Sequence, residues 1–256
     1  MRIKFITLNI LHGGVYFDNV VKFIQEEKPD IIVLQEVYDS KNETLEKRFR
    51  TFEVFGKIFK KDLPYSAFQS AFFNITEIEE GAEHGNAVFS KFEITKNEKV
   101  EINAPYAIVD ETGMTDYSHF PSVLQCLEMN MPEKKLNIFN LHGIWGFDGD
   151  DNPKRIDMAH ILASMMVGKE NVILAGDTNF TPKATETIRI IENANVKSIF
   201  GDELVSTFNM AHKEDMAYAT ASVDMIFVSP TIQVIEKALS NVDISDHRAL
   251  IALLEV

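Results

Sequence analysis

Polar side chains that can hold a metal ion or a phosphate stand at the ends of several apolar stretches of this chain. Glu36 follows the run Ile31–Leu34, His142 ends a run that begins at Leu136, and Asp177 follows a third run. Carboxylates and imidazoles are costly to leave unpaired beside a core, so this repeated placement indicates one shared site. Because the three groups are far apart in sequence, only the fold could bring them together.

Asp177 and Asn179 form the most specific pair. The preceding Gly176 allows close backbone approach, and the i, i+2 spacing can place both side chains on one side of an extended segment. A carboxylate there can orient or deprotonate a water molecule, while the amide holds a phosphate oxygen or that same water. For either residue singly, an Asx-turn that leads into a helix start at Thr181-Pro182 is the alternative interpretation.

Asp224 lies in the otherwise apolar run Val223–Val228, where a carboxylate without a partner is costly. A histidine would account for its position, because a carboxylate that bonds one ring nitrogen fixes the tautomer and leaves the other nitrogen for chemistry. We predict that His247, in the group Ser245-Asp246-His247, is this partner.

Three further candidates are ambiguous when taken alone. Glu36 could hold a hard divalent cation such as magnesium, but for this residue alone a solvated acid at a strand end is the more ordinary interpretation. Asn9 closes the first strand and could instead be a turn former. His142 could donate a proton to a phosphate oxygen or stabilise its charge, although a lone histidine is more often structural.

The elements that must position these residues are more often strands than helices. We expect strands at Arg2–Leu8, Ile31–Leu34, Ala87–Phe89, Val123–Met129, Leu136–Leu141, Val172–Leu174, Val223–Val228 and Ala249–Leu254. We expect helices from Phe17, over the first part of Ser40–Phe55, from Asn152-Pro153 and from Thr181-Pro182. Hairpin-like pairs mixed with strand–helix–strand units favour an α/β or α+β fold with large mixed sheets.

Composition indicates one globular domain over residues 1–256, without repeats or linkers. The single cysteine excludes an intrachain disulfide, and no stretch approaches the roughly 18 apolar residues of a membrane span. The N-terminus does not look like a signal peptide, so we expect a cytoplasmic protein. A net charge of −14 weighs against duplex DNA binding, but a bound cation would reverse the sign of the field locally.

An ordered set of short strings gives the chain a family resemblance. The strings are Thr7-Leu8-Asn9, Pro29–Val37, His84–Ser90, Asn140-Leu141-His142, Gly176–Phe180, Val223–Ser229 and Ser245-Asp246-His247. Each string is weak by itself, but their order resembles that of the endonuclease/exonuclease/phosphatase superfamily over essentially the whole chain. The resemblance implies the deoxyribonuclease-I-like fold, a four-layer αββα sandwich in which two packed mixed β-sheets are flanked by helices.

The same resemblance implies an enzyme, a phosphoric ester hydrolase that depends on Mg²⁺ or Mn²⁺. Carried over by position, Glu36 would be the principal metal ligand, with Asn9 and Asp246 near the metal. The metal would supply Lewis acidity and would orient the substrate.

The resemblance also implies the roles of the other polar residues. Asp177 would position or activate the attacking water, and Asn179 would bind phosphate. His142 and His247 would stabilise the phosphorane-like transition state, with Asp224 orienting His247.

Departures from the family pattern indicate which branch of the superfamily the chain resembles. Leu11 stands where the abasic-site endonucleases commonly have an acid, and His142 stands where they usually have tyrosine. Ser222 replaces a frequent basic residue. The chain is therefore nearer to the deoxyribonuclease-I, sphingomyelinase and deadenylase side. In the deoxyribonuclease-I subgroup a glutamate supports the first histidine, and whether Glu83 or His84 does so here is left open by the sequence.

Substrate contacts are expected from His12, His119, Arg155 and Trp145, and Trp145 with its neighbour Phe147 could stack on a base or sugar. Loop packing is the alternative for the two aromatic residues. The acidic charge favours a small-molecule or single-stranded phosphate ester over duplex DNA. A nuclease acting on DNA or RNA through the same site is the nearest alternative, followed by a degenerate, non-catalytic binding module.

Overall fold

The structure is a computed structural model that describes residues 1–76, 78 and 80–256. Its strands, in chain order, are β1 (Arg2–Asn9), β2 (Ile31–Asp39), β3 (Tyr65–Asn74), β4 (Ala82–Ser90), β5 (Glu93–Glu101), β6 (Ile108–Val109), β7 (Val123–Asn130), β8 (Lys135–His142), β9 (Val172–Asp177), β10 (Lys197–Ser198), β11 (Asp224–Val228), β12 (Gln233–Leu239) and β13 (Leu250–Glu255). The first sheet has the order β12-β13-β1-β2-β4-β3-β6, and the second has the order β10-β11-β9-β8-β7-β5. Both sheets mix parallel and antiparallel pairs.

Helices cover the outer face of each sheet. They are α1 (Phe17–Glu27), α2 (Thr51–Ile58), α3 (Pro153–Met166) and α4 (Thr185–Glu192), with short 3₁₀ helices at Lys47–Arg50, Met210–His212 and Met216–Thr220. Phe23 of α1 and Phe55 of α2 pack with the first sheet, whereas Leu162 of α3 and Ile191 of α4 pack with the second. None of these helices is long and apolar enough to cross a membrane, as far as the described residues show.

A third apolar cluster fills the space between the two sheets. Phe5 and Val33 of the first sheet meet Ile138, Ile173 and Ile226 of the second, and all five side chains are buried. Alternate residues of β1 and β2 therefore face either the helices or the other sheet, as the two-residue period of a strand requires. The layers run helices, sheet, sheet, helices, which confirms the predicted αββα sandwich.

Buried amides also join the two sheets directly beneath the ends of β2 and β8. Gln35 Nε2 donates to Asn140 Oδ1 over 2.7 Å, and Asn140 Nδ2 donates in turn to main-chain oxygens of β2 and β4. Asn86 Nδ2 of β4 reaches main-chain oxygens of β7 and β8. Buried amides need such partners. The network holds Glu36, next to Gln35, in a fixed position relative to His142, two residues beyond Asn140.

Two predicted helices begin later than expected. Within Ser40–Phe55 the first part is not helical, and α2 starts only at Thr51. Asn42 explains this, because its Oδ1 accepts hydrogen bonds from the backbone N–H and the hydroxyl of Thr44 and so favours a turn. Thr181-Pro182 likewise begins a turn, and α4 itself starts at Thr185.

Three long strands were not expected from the sequence. They are β3, β5 and β12, whose burial patterns alternate weakly or are mostly exposed. β5 and β12 lie at sheet edges and carry many charged residues, which protect an edge from pairing with another chain. The same charges remove the apolar alternation that identifies a strand in a sequence.

Candidate active site

One cavity of about 630 Å³ opens where the carboxyl ends of β1, β8 and β9 meet the irregular part of β2 at Glu36. The residues predicted to do chemistry that line it are His12, Glu36, His142, Trp145, Asp177, Asn179, Asp246 and His247. The fold thus gathers groups that are separated by up to about 235 positions in the sequence, as His12 and His247 are.

On the second sheet, strand register places the reactive groups side by side. Asp177 on β9 has two register partners. They are His142 across the parallel pair β8–β9 and Asp224 across the antiparallel pair β9–β11. His247 enters from the segment before β13 and lies over them. Asp177 Oδ2 is 3.7 Å from the Nε2 atoms of both His142 and His247. One buried carboxylate oxygen therefore faces two imidazoles.

His247 is held by the partner that the sequence suggested. Its Nδ1 lies 2.9 Å from Asp224 Oδ2, and both side chains are buried. Burial by itself would lower the pKa of His247, but Asp224 beside it and Asp177 opposite raise that pKa to about 10. At neutral pH the ring is therefore an imidazolium whose Nδ1–H bonds Asp224 and whose Nε2–H points towards the cavity.

Asp177, Asp224 and His247 also lie close enough to be a metal site by distance alone, since each offers a ligand atom within 4.8 Å of the others. The hydrogen bond between His247 Nδ1 and Asp224 argues for a different use. A cation that took both atoms would have to break this 2.9 Å bond in a buried setting. The trio is better arranged to hold and move a proton.

On the first sheet, an irregular backbone aims a carboxylate into the cavity. Glu36 has a φ of +58°, and the β2–β4 register shifts between Leu34 and Val37, as in a β-bulge. Its Oε1 accepts from Asn9 Nδ2 over 2.8 Å, and its Oε2 accepts from the backbone N–H of His12 over 2.8 Å. The carboxylate is thus positioned by an amide and a main-chain donor.

Glu36 is ionised despite its surroundings. Burial alone would raise its pKa, but the nearby imidazoles of His12, His142 and His84 and the His12 backbone N–H hold that pKa well below its usual range. Asn9 joins this carboxylate to the other sheet, because its Nδ2 also lies 3.1 Å from Asp177 Oδ2. The ionised carboxylate of Glu36 is a hard oxygen ligand that fits a divalent cation such as Mg²⁺ or Mn²⁺. Asn9 Oδ1 accepts from the Leu11 backbone N–H over 3.0 Å, so the Asn9 amide would have to turn before its oxygen could join Glu36 on a cation.

Backbone conformations that most residues avoid are concentrated at this site. His12, Glu36 and Asn179 have φ values of +44°, +58° and +56°, and such conformations persist where the surroundings enforce them. Gly176 has a φ of +145°, and a Cβ atom there would lie 1.9 Å from the carbonyl oxygen of Leu141. Only glycine lets β8 and β9 approach closely enough to place Asp177 in the cavity.

Asn179 forms the predicted Asx-turn and also lines the cavity. Its backbone N–H donates to Asp177 Oδ1 over 3.0 Å, which is the Asx-turn, and its Nδ2 donates to the carbonyl of Gly143 over 3.2 Å while it lines the cavity. The turn and the site are therefore the same structure, since the turn orients Asp177 and Asn179 together.

Comparison with known proteins assigns the family. The model of the endonuclease/exonuclease/phosphatase family matches residues 6–247. The chain belongs to the endonuclease/exonuclease/phosphatase family. This confirms the resemblance drawn from the ordered strings. A search of curated proteins finds no match.

Solved structures of this family share the fold at low sequence identity. An endonuclease/exonuclease/phosphatase from Beutenbergia cavernae is 15% identical with a TM-score of 0.75, over 100% of this chain and 72% of that one. A mannosyl-6-phosphatase from Bacteroides thetaiotaomicron is 17% identical with a TM-score of 0.65, over 99% and 100%. Danio rerio TDP2 complexed with a single-strand DNA product is 13% identical with a TM-score of 0.66, over 100% and 99%.

In this family member Arg155 is a structural residue, and the prediction that it contacts substrate is wrong. Its side chain is 0% exposed. The guanidinium donates to the main-chain oxygens of Ile144 (3.3 Å), Asp148 (2.7 Å), Asp150 (2.7 Å) and Asn179 (2.6 Å) and to Asp148 Oδ1 (3.3 Å). With these bonds made, no donor is left for a ligand. Arg155 fixes the loop after β8 against Asn179.

His119 also lies away from the reacting groups, contrary to the prediction. It is exposed and lines a neighbouring pocket with Tyr106 and Met114, and its Nδ1 lies 2.9 Å from Lys154 Nζ. The polar stretch around His119 gave no signal about which way its loop would turn.

His84, and not Glu83, faces the cavity. Glu83 instead accepts a hydrogen bond from Tyr106 Oη over 3.0 Å. The His84 ring packs against Phe72 at 4.6 Å and Tyr38 at 4.9 Å, and its buried Nδ1 has no hydrogen-bond partner among the described residues. Burial lowers the pKa of His84 to about 3, so the ring is neutral at ordinary pH.

Lys213 is a cavity residue that the sequence did not single out. Its Nζ lies 2.5 Å from Asp246 Oδ2 and stands over the rings of Phe208 and Tyr218 at 4.9 and 4.6 Å. A metal ion bound by Asp246 would have to displace this ammonium group. The fit of Asp246 to the predicted metal site is accordingly weaker than that of Glu36.

Proposed function

We propose that the protein is a divalent-metal-dependent hydrolase of phosphate esters, organised as one catalytic domain over residues 1–256. One observation carries the proposal. Asp177 Oδ2 stands 3.7 Å from both His142 Nε2 and His247 Nε2 and is joined through Asn9 to the ionised Glu36. The family match supports a phosphoesterase activity.

Glu36 and Asn9 are the residues that would hold Mg²⁺ or Mn²⁺, and Asp246 would join them if Lys213 moved away. When bound, the metal would supply Lewis acidity towards a phosphate oxygen and would orient the ester. The ionised state of Glu36 means that no proton has to be removed before a cation binds there.

The chain's own groups supply the rest of the chemistry. Asp177 accepts a proton from, or orients, the attacking water. His247 and His142 present Nε2–H groups to the non-bridging phosphate oxygens and stabilise the charge that develops there. Asp224 orients the His247 ring and stabilises its positive charge through their 2.9 Å hydrogen bond. Asn179 holds a phosphate oxygen.

The first experiment measures hydrolysis of bis-p-nitrophenyl phosphate with added Mg²⁺ or Mn²⁺. We expect stimulation by metal and a loss of at least about 100-fold in Asp177→Ala and in His247→Ala, as removal of an acid–base group gives. The exposed Asp202, replaced by alanine, is the matched control and should keep full activity. Full activity in both site variants would refute the assignment.

A nuclease with the same site is the second candidate, supported by the exposed Phe147 and the neighbouring Trp145 on the cavity rim, where bases could stack. The net charge of −14 weighs against a duplex substrate. Plasmid nicking at low enzyme concentration, with a steep loss of rate as salt rises, would establish the nuclease in place of a small-substrate hydrolase.

A further inference from the structure

A row of aromatic side chains lines one side of the cavity, from its floor to its rim. We call it the aromatic wall, and it consists of Phe72, Phe120, Tyr117, Trp145 and Phe147. Successive rings touch edge to face, with centroid separations of 5.7, 5.0, 5.6 and 4.8 Å in that order. Phe72 also contacts His84. The wall therefore begins next to the reacting groups and ends in solvent.

The rim end of the wall is rigid and yet uncovered. Phe147 is 80% exposed, which is costly for a phenyl ring that could have packed inward. Its loop is fixed by the Arg155 hydrogen bonds, and a Cβ atom at Gly146 would lie 2.8 Å from Arg155 Nη2. The main chain that carries Trp145 and Phe147 is thus held at the rim, which lowers the entropic cost of ordering this loop around a ligand.

The charges around the cavity limit the size of the ligand. Beyond the reacting centre, the lining carboxylates are Glu111, Asp148, Asp150 and Asp215, against the two lining lysines Lys183 and Lys213 in the described part of the chain. Lys213 is already paired with Asp246. A polynucleotide needs cationic groups along its path, so this rim disfavours a chain of phosphates and tolerates a single one.

We propose that the substrate is a small phosphate ester of the nucleotide class, in which a planar base lies against Trp145 and Phe147 while its one phosphate occupies the reacting centre. The proposal rests on the proposed function for the position of the phosphate. The same chemistry, a base near a phosphate, occurs at the end of a single strand. The acidic rim favours the free nucleotide over that source.

Binding can be read without catalysis, because Trp145 is the one tryptophan of the chain. We would titrate the wild type in EDTA, and Asp177→Asn with Mg²⁺, with AMP or with ribose 5-phosphate and follow tryptophan fluorescence. We expect saturable quenching by AMP and little by ribose 5-phosphate, which lacks the base. Equal responses to the two, or no quenching by AMP in either protein, would overturn the proposal.

Substitutions test whether the base of the ligand contacts Phe147. Phe147→Ala should weaken AMP binding and raise the KM for a nucleotide ester about tenfold, as loss of a stacked ring does, and should leave the KM for glycerol phosphate unchanged. Tyr65→Ala, another exposed aromatic residue but one outside the cavity, is the matched control and should change neither. An unchanged nucleotide KM in Phe147→Ala would contradict the proposal.

Oligonucleotides separate the two sources of a base. We expect single-stranded DNA of increasing length to bind no better than AMP. An affinity that grows with length and falls steeply with salt would overturn the small-substrate proposal. Hydrolysis of bis-p-nitrophenyl phosphate with no preference for nucleotide esters would sink this proposal alone. Selective AMP binding without any hydrolysis would support base binding by the aromatic wall and would refute the proposed function.

Discussion

The two sheets present their reactive groups in different ways. On the second sheet, His142, Asp177 and Asp224 stand in register on neighbouring strands. His142 and His247 both face Asp177, and His247 also bonds Asp224. On the first sheet, Glu36 is aimed by a bulge and by positive φ values and is held by an amide and a backbone N–H.

This contrast indicates a division of labour. The second sheet's groups are already paired as acids and bases, which suits proton transfer and charge stabilisation. Glu36 is instead an ionised carboxylate that accepts hydrogen bonds from two neutral donors, the Asn9 amide and the His12 backbone N–H, which a cation can replace. We propose that the first sheet holds the metal and that the second sheet performs the acid–base chemistry.

The largest expected effect is a loss of stability when Arg155, which supports the second-sheet side of the site, is replaced. Arg155→Met leaves four main-chain oxygens without their buried donor, so we expect the free energy of unfolding to fall by about 3 kcal/mol. Urea unfolding measures this change. Arg189→Met, an exposed arginine paired with Glu186, is the control and should change stability by less than about 0.5 kcal/mol. Equal stabilities of the two variants would contradict the role of Arg155.

Hydrolysis should slow when the second sheet loses Asp224, the residue that orients His247. In Asp224→Asn the partner of Nδ1 is no longer an anion, so we expect kcat for bis-p-nitrophenyl phosphate to fall on the order of 100-fold with little change in KM. Steady-state kinetics at saturating metal measures both constants. Asp202→Asn should behave like the wild type, and a fall confined to KM in Asp224→Asn would disprove the assignment.

A smaller effect concerns the first-sheet side of the site, where His84 should make the stability of the protein depend on pH. His84 has a folded pKa of about 3 against an ordinary value near 6.5, so below about pH 6.5 the unfolded chain binds a proton that the folded chain does not. Stability should therefore fall as pH drops from 6.5 towards 3. This group contributes about 2 kcal/mol of the loss between pH 6.5 and 4.5.

His84→Phe should remove this contribution, because phenylalanine fits between Phe72 and Tyr38 and carries no charge. Urea unfolding at pH 6.5 and 4.5 gives the difference for each protein. The exposed His160, replaced by phenylalanine, should leave the pH dependence as it is in the wild type. An unaltered pH dependence in His84→Phe would show that His84 is not held neutral.

Sequence reasoning succeeded where a residue type conflicted with its local setting. Asp224 in an apolar strand required a partner, and the structure places His247 beside it. The ordered strings identified the family and hence the fold. For Asp224 the sequence itself carries the physical constraint, namely the cost of a buried charge, whereas the family followed from resemblance alone.

Sequence reasoning failed where the surroundings of a side chain depend on the path of a loop. Arg155 at the start of α3 looks like any exposed cation, and only the path of the preceding loop, between β8 and α3, shows that it is buried. His119 faces another pocket for the same reason. The charged edge strands β5 and β12 lack the apolar alternation that would reveal them, since their faces are not both covered.

The division of labour is tested most directly by calorimetric titration of Mn²⁺ into two variants. The account predicts that Glu36→Gln lowers the affinity for Mn²⁺ by at least about tenfold, whereas Asp224→Asn keeps it within about twofold of the wild type. The opposite result, with binding lost in Asp224→Asn and retained in Glu36→Gln, would place the metal among Asp177, Asp224 and His247 and would contradict the account.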